Sequence, residues 1–281
     1  MAAAAPVILV TGATGFVGGH VLNALAATDC RLRLIVRDGK QAQVPRAARI
    51  ETVLTTPDLW AEPAAWLEDA CRGVDAVIHI AWYAEPGRYL QSPKNLDCLM
   101  GTLRLAQAAS RAKVRRFVGT GTCFEYDLSA GRLTVDTPLR PATPYAGAKA
   151  AAFMALSQYL PQQGVSFAWC RLFYLFGEGE AAERLVPYLR SRLMVGAPAE
   201  LSSGTQIRDY LDVRDAARMI VEAARGTAQG AINVCSGTPM TVRELAERVA
   251  ADYGRRDLLR FGARADNLTD PPVVVGVRAA K

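Results

Sequence analysis

The sequence predicts an α/β fold built on a doubly wound parallel sheet, from three observations. Short apolar runs that suit strands buried on both faces alternate with longer amphipathic stretches that suit helices. The first apolar run, residues 7–10, leads through a glycine-rich turn directly into an apolar helix. The chain has 281 residues, 51% of them hydrophobic and 21% charged, which is enough to bury one large core. Alternation of strand and helix indicates a parallel sheet that helices cover on both faces.

Successive elements keep this alternation along the chain. His79 lies inside the fourth apolar run, where a histidine is far more often a satisfied core residue than a catalyst. A late segment, residues 271–275, predicts a final edge strand. The other predicted strands are residues 31–36, 50–54, 74–81 and 116–120, and the predicted helices after the first are residues 60–71, 96–112 and 144–160.

Three glycines in the first turn predict a site for the pyrophosphate of a dinucleotide. Gly12, Gly15 and Gly18 are spaced three apart between the first strand and the first helix. Glycine permits a tight turn and the close approach of a ligand, and the helix N-terminus offers unpaired N–H groups to anionic oxygens. A tight turn without a ligand is the alternative interpretation. The cofactor-binding residues assigned to this turn are Gly12, Thr14, Gly15, Phe16 and Val17.

The end of the second strand predicts which dinucleotide is bound. Arg37 lies there, and an arginine at this position can pair with the 2′-phosphate of NADP. Asp38 follows it, and an acidic residue can accept a hydrogen bond from the 2′-hydroxyl of NAD. NADP(H) is therefore favoured, and NAD(H) stays open. Asp58 and Leu59 after the third strand, Ala81 at the end of the fourth, and Tyr145 and Lys149 further along the chain complete the predicted cofactor site.

Composition excludes several classes of function. The 33 basic and 27 acidic residues give a net charge of +6 without a charge run, which does not indicate a nucleic-acid binder. No apolar run is long enough to span a membrane and no signal peptide opens the chain, so we expect a cytoplasmic protein without a membrane partner. Six scattered cysteines and two histidines predict reduced thiols, no metal site and no histidine-based catalysis.

A well-specified helix start brings two chemical groups together in the middle of the chain. Thr143 suits the N-cap of this helix, and Pro144 suits its first position. Tyr145 and Lys149 are then four residues apart and share one helix face. Thr122 follows the preceding predicted strand, so its hydroxyl belongs at the carboxyl edge of the sheet.

These motifs resemble the extended short-chain dehydrogenase/reductases, in the epimerase/dehydratase branch. The resemblance rests on TGATGFVG near the N-terminus, a threonine after the central strand, and the YxxxK pair of Tyr145 and Lys149. It continues through residues 170–179, 205–220 and 232–245, and therefore covers almost the whole chain.

The resemblance implies a domain organisation and an assembly. A Rossmann dinucleotide-binding domain is implied for residues 1–170 together with about 207–235. A small substrate-binding lobe is implied for about 171–206 together with 236–281. The helices at 96–112 and 144–160 correspond to those that pair in family dimers, which implies a homodimer, although their apolar faces suit packing on the sheet equally well.

The resemblance also implies roles for four side chains. Tyr145 is the catalytic acid/base, Lys149 is its activator, and Thr122 is the hydroxyl that holds the substrate oxygen. Arg208 matches the arginine that binds the diphosphate of a nucleotide sugar, and Arg264 is a further candidate for a phosphate. We expect Lys149 to lower the pKa of Tyr145 from about 10 toward neutrality, because a cation at about 4 Å contributes about 4 kcal/mol at an effective dielectric of about 20.

Departures from the family narrow the implied reaction. Sugar 4,6-dehydratases carry an Asp-Glu pair after the threonine, where this chain has Cys123 and Phe124. Dehydration then lacks its acid and base, which leaves reduction of a 4-ketone and 4-epimerisation with retained NAD. Arg37 favours the NADPH-dependent reduction of a nucleotide-activated 4-keto-deoxyhexose. A cofactor-sensing protein without turnover is a further alternative, although such proteins typically lose the tyrosine or the lysine.

Overall fold

The computed structural model describes residues 5–45, 49–267 and 270–278 of the chain. The strands are β1 (Val7–Thr11), β2 (Arg31–Arg37), β3 (Ile50–Thr56), β4 (Ala76–His79), β5 (Arg116–Thr122), β6 (Arg132–Leu133), β7 (Ser166–Leu172), β8 (Tyr174–Phe176), β9 (Ala199–Glu200), β10 (Ile207–Asp212), β11 (Gly230–Val234), β12 (Pro239–Thr241), β13 (Leu259–Arg260) and β14 (Val273–Gly276). The helices are α1 (Phe16–Ala26), α2 (Ala64–Cys71), α3 (Lys94–Arg111), α4 (Pro144–Gln162), α5 (Leu185–Met194), α6 (Val213–Arg225) and α7 (Val242–Asp252).

Seven parallel strands form the central sheet, in the order β11-β7-β5-β4-β1-β2-β3. The chain runs outward from β1 to β3 and then builds β4, β5, β7 and β11 on the other side of β1. A reversal of this kind leaves a crevice at the carboxyl ends of the two strands where the winding changes direction, here β1 and β4. The predicted doubly wound parallel sheet is confirmed.

Helices cover both faces of the sheet because side chains alternate along each strand. In β1, Ile8 and Val10 pack in the core layer that contains α1 and α6. Val7 and Leu9 pack in the opposite layer, which contains α2, α3 and α4. Burial on both faces explains why the predicted strands are continuous apolar runs.

A second sheet has the order β12-β10-β14-β6, with β8 beside β10. It joins C-terminal strands to β6 from the middle of the chain. The side chain of Asp209 in β10 is fully buried and accepts hydrogen bonds from the N–H groups of Ser236, Gly237 and Gly276. This carboxylate therefore joins β10 to the segment before β12 and to β14. A separate apolar cluster packs α5 against α7.

The final strand is not an edge strand, so the prediction for residues 271–275 is wrong in this respect. β14 lies between β10 and β6, with Ile207 opposite Val273 and Val275 opposite Arg132. Its partners come from distant parts of the chain, and a single-sequence pattern does not reveal such pairing.

Two other predicted elements begin or end differently in the structure. The helix predicted for residues 60–71 begins at Ala64, because Asp58 accepts a hydrogen bond from the N–H of Trp60 and Pro63 has an extended backbone at the N-cap. The strand predicted for residues 74–81 is shorter, with ladder pairing limited to β4. The residues after it are free to form the loop above the sheet.

His79 is a core residue, as its apolar run predicts. Its Nδ1 and Nε2 atoms are hydrogen-bonded to the hydroxyls of Thr11 and Thr102, at 2.8 and 2.9 Å. Burial lowers the pKa of His79 to about 3, so the ring is neutral at physiological pH. All six cysteines are free and buried. None of the helices described by the structure is long and apolar enough to cross a membrane.

Candidate active site

The turn between β1 and α1 forms a cradle of bare backbone. Gly12 has a φ of +74°, and a Cβ there would lie 2.6 Å from the backbone nitrogen of Ala81. A Cβ on Gly18 would collide with the carbonyl oxygen of Gly12. Gly15 is the N-cap of α1, so no side chain caps the first N–H groups of the helix. These features fit the pyrophosphate of a dinucleotide. Thr14 lies in the same turn, and Phe16 and Val17 open the helix.

The remaining predicted cofactor residues follow the carboxyl ends of neighbouring strands. Arg37 ends β2 and is exposed, as is Asp38 beside it. Asp58 and Leu59 follow β3, and Ala81 follows β4. Because β1 to β4 are parallel, these ends lie along one edge of the sheet, next to the glycine turn.

Thr122, Tyr145 and Lys149 come together at the carboxyl end of β5. Thr122 is the last residue of β5, and its side chain lowers the pKa of Tyr145, against the larger and opposite effect of burial. Tyr145 and Lys149 lie in the first two turns of α4, whose start is fixed by the hydrogen bond from Ala146 N–H to the Thr143 hydroxyl. Lys149 is 3% exposed, and its Nζ donates a 2.6 Å hydrogen bond to the carbonyl oxygen of Thr120.

Two aromatic side chains that the sequence reasoning missed surround Tyr145 and Lys149. The Nζ atom of Lys149 lies 3.8 Å from the centroid of the Trp82 ring. The Tyr145 ring packs edge-to-face against Tyr89 and Trp82, with centroids 4.8 and 6.4 Å apart. Buried Asn95 accepts a hydrogen bond from Trp82 Nε1 and donates one to the carbonyl oxygen of Tyr89. One loop, between β4 and α3, supplies this aromatic wall.

Burial is the largest influence on the pKa values of Tyr145 and Lys149. Burial raises the pKa of Tyr145 above its usual value, and Tyr89 and Glu125 raise it further. The prediction that Lys149 lowers this pKa toward neutrality is therefore wrong. Burial also lowers the pKa of Lys149 to about 7. The ammonium group bonds to a backbone carbonyl rather than to the phenol. Tyr145 is therefore protonated at neutral pH, which is the form that donates a proton.

The two arginines predicted to contact phosphate are both engaged with protein groups. Arg208, in β10, is 3% exposed and donates a 2.8 Å hydrogen bond to the carbonyl oxygen of Pro271. Its Nη2 lies 3.7 Å from a carboxylate oxygen of Asp270. Arg264 is exposed and donates to the hydroxyl of Tyr188 at 3.1 Å.

A buried ion pair behind Thr122 also escaped the sequence reasoning. Glu125 and Arg171 are joined at 2.8 Å, with side chains 0% and 1% exposed. The spacing of Thr122 and Glu125 is the T-x-x-E pattern of a capping box, which is the one signal that could have revealed it. Among the described residues, no group of three or more His, Cys, Asp or Glu side chains is placed to hold a metal.

The fold and the glycine cradle are those of a dinucleotide-binding domain, and the family follows from direct comparison. Residues 8–235 match the NAD dependent epimerase/dehydratase family. The chain belongs to this family. Its relatives include epimerases, dehydratases, reductases and dehydrogenases of nucleotide sugars.

Individual relatives carry different activities. GDP-6-deoxy-D-mannose reductase of Pseudomonas aeruginosa is 30% identical over 268 residues, covering 86% of this chain and 79% of the relative. The dTDP-6-deoxy-L-talose 4-dehydrogenase (NAD(+)) of Aggregatibacter actinomycetemcomitans is 24% identical, covering 88% and 90%. The structure of UDP-glucose 4-epimerase from Thermus thermophilus, a complex with NAD, aligns with a TM-score of 0.81 at 25% identity, covering 97% and 90%.

The cradle can be tested with two glycines of the same segment. Gly12→Ala forces a side chain into a left-handed backbone and against Ala81, so we expect a loss of roughly 1–3 kcal/mol in the free energy of unfolding and loss of dinucleotide binding. Gly19→Ala is the matched control, because a Cβ there meets nothing within 4 Å. Urea unfolding and NADPH fluorescence titration measure both effects. Equal binding by the two variants would contradict the assignment.

Proposed function

We propose that the protein reduces the keto group of a nucleotide-activated 4-keto-deoxyhexose to a hydroxyl with NADPH. The observation that carries this proposal is the convergence of the Thr122 hydroxyl, the Tyr145 phenol and the Lys149 ammonium group beside the glycine cradle. This set can deliver a proton and stabilise negative charge in a partly buried site.

Each of the three side chains has a part in the proposed reaction. The dinucleotide, when bound, supplies the hydride that adds to the carbonyl carbon. Tyr145 donates the proton from Oη to the carbonyl oxygen, which its raised pKa allows because the phenol is protonated at neutral pH. Thr122 donates a hydrogen bond to the same oxygen. The positive charge of Lys149 then stabilises the tyrosinate that proton transfer leaves.

The residues after Thr122 argue against dehydration of the sugar. Cys123 is 2% exposed, and burial raises the pKa of its thiol, so it is a poor base. Phe124 is half-buried and packs edge-to-face against Tyr174. The nearby carboxylate of Glu125 is fully buried and paired with Arg171. No acid/base pair for removing water across C5 and C6 is therefore supplied by this turn.

A 4-epimerase with retained NAD is the second candidate. It would use the same three residues, and Asp38 next to Arg37 supplies the acidic side chain that suits the 2′-hydroxyl of NAD. Solved relatives include a UDP-glucose 4-epimerase in complex with NAD. An epimerase would contain bound NAD after purification and would consume no NADPH, whereas a reductase consumes one NADPH for each ketone.

We further propose a homodimer and a nucleotide-diphosphate sugar as the ligand of the lobe. Leu96 and Met100 on α3 and Met154 on α4 are more than half exposed, at 63%, 52% and 59%. A pairing of these helices between two copies would cover them. Arg208 is the proposed diphosphate contact, and Arg264 is a further candidate, since both lie in the C-terminal part of the chain.

The role of Tyr145 can be tested within α4. Tyr145→Phe removes the proton donor, and we expect kcat for NADPH oxidation with a nucleotide 4-ketosugar to fall at least roughly 100-fold. NADPH affinity should stay within about threefold of wild type, since the glycine cradle is unchanged. Tyr159→Phe, on the same helix, serves as control because its hydroxyl makes only a 3.4 Å contact with Ser110. Comparable turnover by both variants would overturn the assignment.

The choice of cofactor depends on Arg37. Arg37→Ala removes the proposed partner of the 2′-phosphate, so we expect KM for NADPH to rise roughly tenfold or more while KM for NADH changes little. Arg72→Ala, which removes an arginine that is 80% exposed at the end of α2, is the control. A wild-type preference for NADH would favour the NAD alternative, and an equal rise for both cofactors would contradict the pairing of Arg37 with the 2′-phosphate.

A further inference from the structure

The proposed chemistry does not use a buried carboxylate that lies directly behind Thr122. Glu125 ends the single-turn 3-10 helix Cys123–Glu125, and its side chain is fully buried. Its Oε1 accepts a 2.8 Å hydrogen bond from the N–H of Thr122. The hydroxyl of Thr122 in turn accepts a 3.3 Å hydrogen bond from the N–H of Phe124. This reciprocal capping box fixes the backbone of Thr122 at the end of β5.

Two residues of β7 hold the same carboxylate from the other side. Arg171 Nε donates to Oε2 of Glu125 at 2.8 Å, and Trp169 Nε1 donates to Oε1 at 3.0 Å. The guanidinium carbon of Arg171 lies 4.4 Å from the ring centroids of both Tyr126 and Phe153. The carboxylate of Glu125 is thus paired with a cation that is itself fixed between two rings.

The network connects the elements that carry the three candidate catalytic residues. Phe153 belongs to α4, the helix of Tyr145 and Lys149, while Glu125 follows β5. A Cβ on Gly121 would collide with both Trp169 Nε1 and Glu125 Oε1, so glycine at this position makes room for the carboxylate. Gly121 therefore serves this network, in contrast to the glycines of the dinucleotide cradle.

We propose that Glu125 is a positioning residue of this site: held by Arg171, its carboxylate orients Thr122 toward Tyr145 and places a fixed negative charge beside Lys149. The inference rests on the proposed roles of Thr122, Tyr145 and Lys149. It assigns to the buried pair a function in the proton chemistry in addition to its contribution to folding.

Three titratable groups near Lys149 and Tyr145, namely His79 and the thiols of Cys98 and Cys123, are uncharged at neutral pH. Burial lowers the pKa of His79 to about 3 and raises the pKa values of the Cys98 and Cys123 thiols. Glu125 raises the pKa of Lys149 and thereby opposes the effect of burial. The facing groups from neighbouring elements are His79 in β4, Cys98 in α3, Tyr89 in the loop before α3, Cys123 and Glu125 after β5, and Arg171 in β7.

The charges around Lys149 determine the direction in which Glu125→Gln shifts its pKa. Glu125→Gln removes the negative charge that favours the ammonium form, and it leaves the positive charge of Arg171 unpaired. Both changes favour neutral Lys149, so its titration should move to lower pH. Trp169 links the two groups, because its Nε1 donates to Glu125 and its ring centroid lies 5.7 Å from the Nζ of Lys149. Removal of one charge from such a buried site corresponds to a shift of roughly one pH unit.

The titration can be measured on the full-length protein without substrate. The chain has five lysines, at positions 40, 94, 113, 149 and 281, so ¹³Cε-lysine labelling gives a spectrum simple enough to assign with Lys149→Arg. We expect the Lys149 signal of the wild type to titrate near pH 7 and that of Glu125→Gln roughly one pH unit lower. The signals of exposed Lys40, Lys94 and Lys113 should titrate at the same pH in both proteins and serve as internal references.

A double variant separates the charge effect from a general loss of structure. Glu125→Gln with Arg171→Gln contains no unpaired buried charge, and the glutamine at 125 still offers an oxygen to the Thr122 N–H. The Lys149 midpoint should return toward the wild-type value. Glu244→Gln alters the equivalent capping box at Thr241, in α7, and should leave the midpoint unchanged. A wild-type midpoint in Glu125→Gln, or a shift of the same size in Glu244→Gln, would overturn the proposal.

The kinetic readout distinguishes this inference from the proposed function. If the wild type oxidises NADPH with nucleotide 4-ketosugars, the alkaline limb of kcat should move to lower pH in Glu125→Gln and return in the double variant. An unmoved limb would contradict the role of Glu125 while leaving the proposed function intact. If the wild type turns over none of these sugars, the proposed function fails, and the lysine titration still decides whether Glu125 governs the charge of Lys149.

Discussion

The burial of the Lys149 ammonium group is the constraint on which the candidate site depends. A cation removed from water needs compensation, and here it is compensated by a hydrogen bond to the Thr120 carbonyl and by the face of the Trp82 ring. Those two contacts tie α4 to β5 and to the loop after β4. The same burial lowers the pKa of Lys149 to about 7, so small changes in its surroundings alter its charge at physiological pH.

The surroundings of Lys149 explain why Tyr145 differs from a simple lysine-activated phenol. Tyr145 lies against Tyr89 and Trp82, and these apolar rings favour the neutral phenol. A protonated tyrosine suits an acid that gives up its proton only when negative charge develops on the substrate oxygen. The site therefore combines a neutral donor with a cation whose charge is sensitive to its neighbours.

The sequence was a good guide to features that depend on local patterns. The buried strands, the glycine turn and the Thr143 N-cap each follow from a few adjacent residues. Glu125 and Arg171 are 46 positions apart, and their pairing depends on β5 lying next to β7. The interior position of β14 depends in the same way on β10 and β6. The raised pKa of Tyr145 could not be predicted because it results from packing with a loop that has no regular pattern.

Deuterium transfer from labelled NADPH tests the central claim most directly. The wild type is incubated with NADPH deuterated at the transferable position of the nicotinamide and with 4-keto-6-deoxyhexoses attached to dTDP, GDP or UDP. Keto reduction predicts one deuterium at C4 of the product for each NADPH consumed, with at least one of these sugars. Inversion of a nucleotide sugar at C4 by enzyme-bound NAD, with no deuterium gained and no NADPH consumed, would contradict the account.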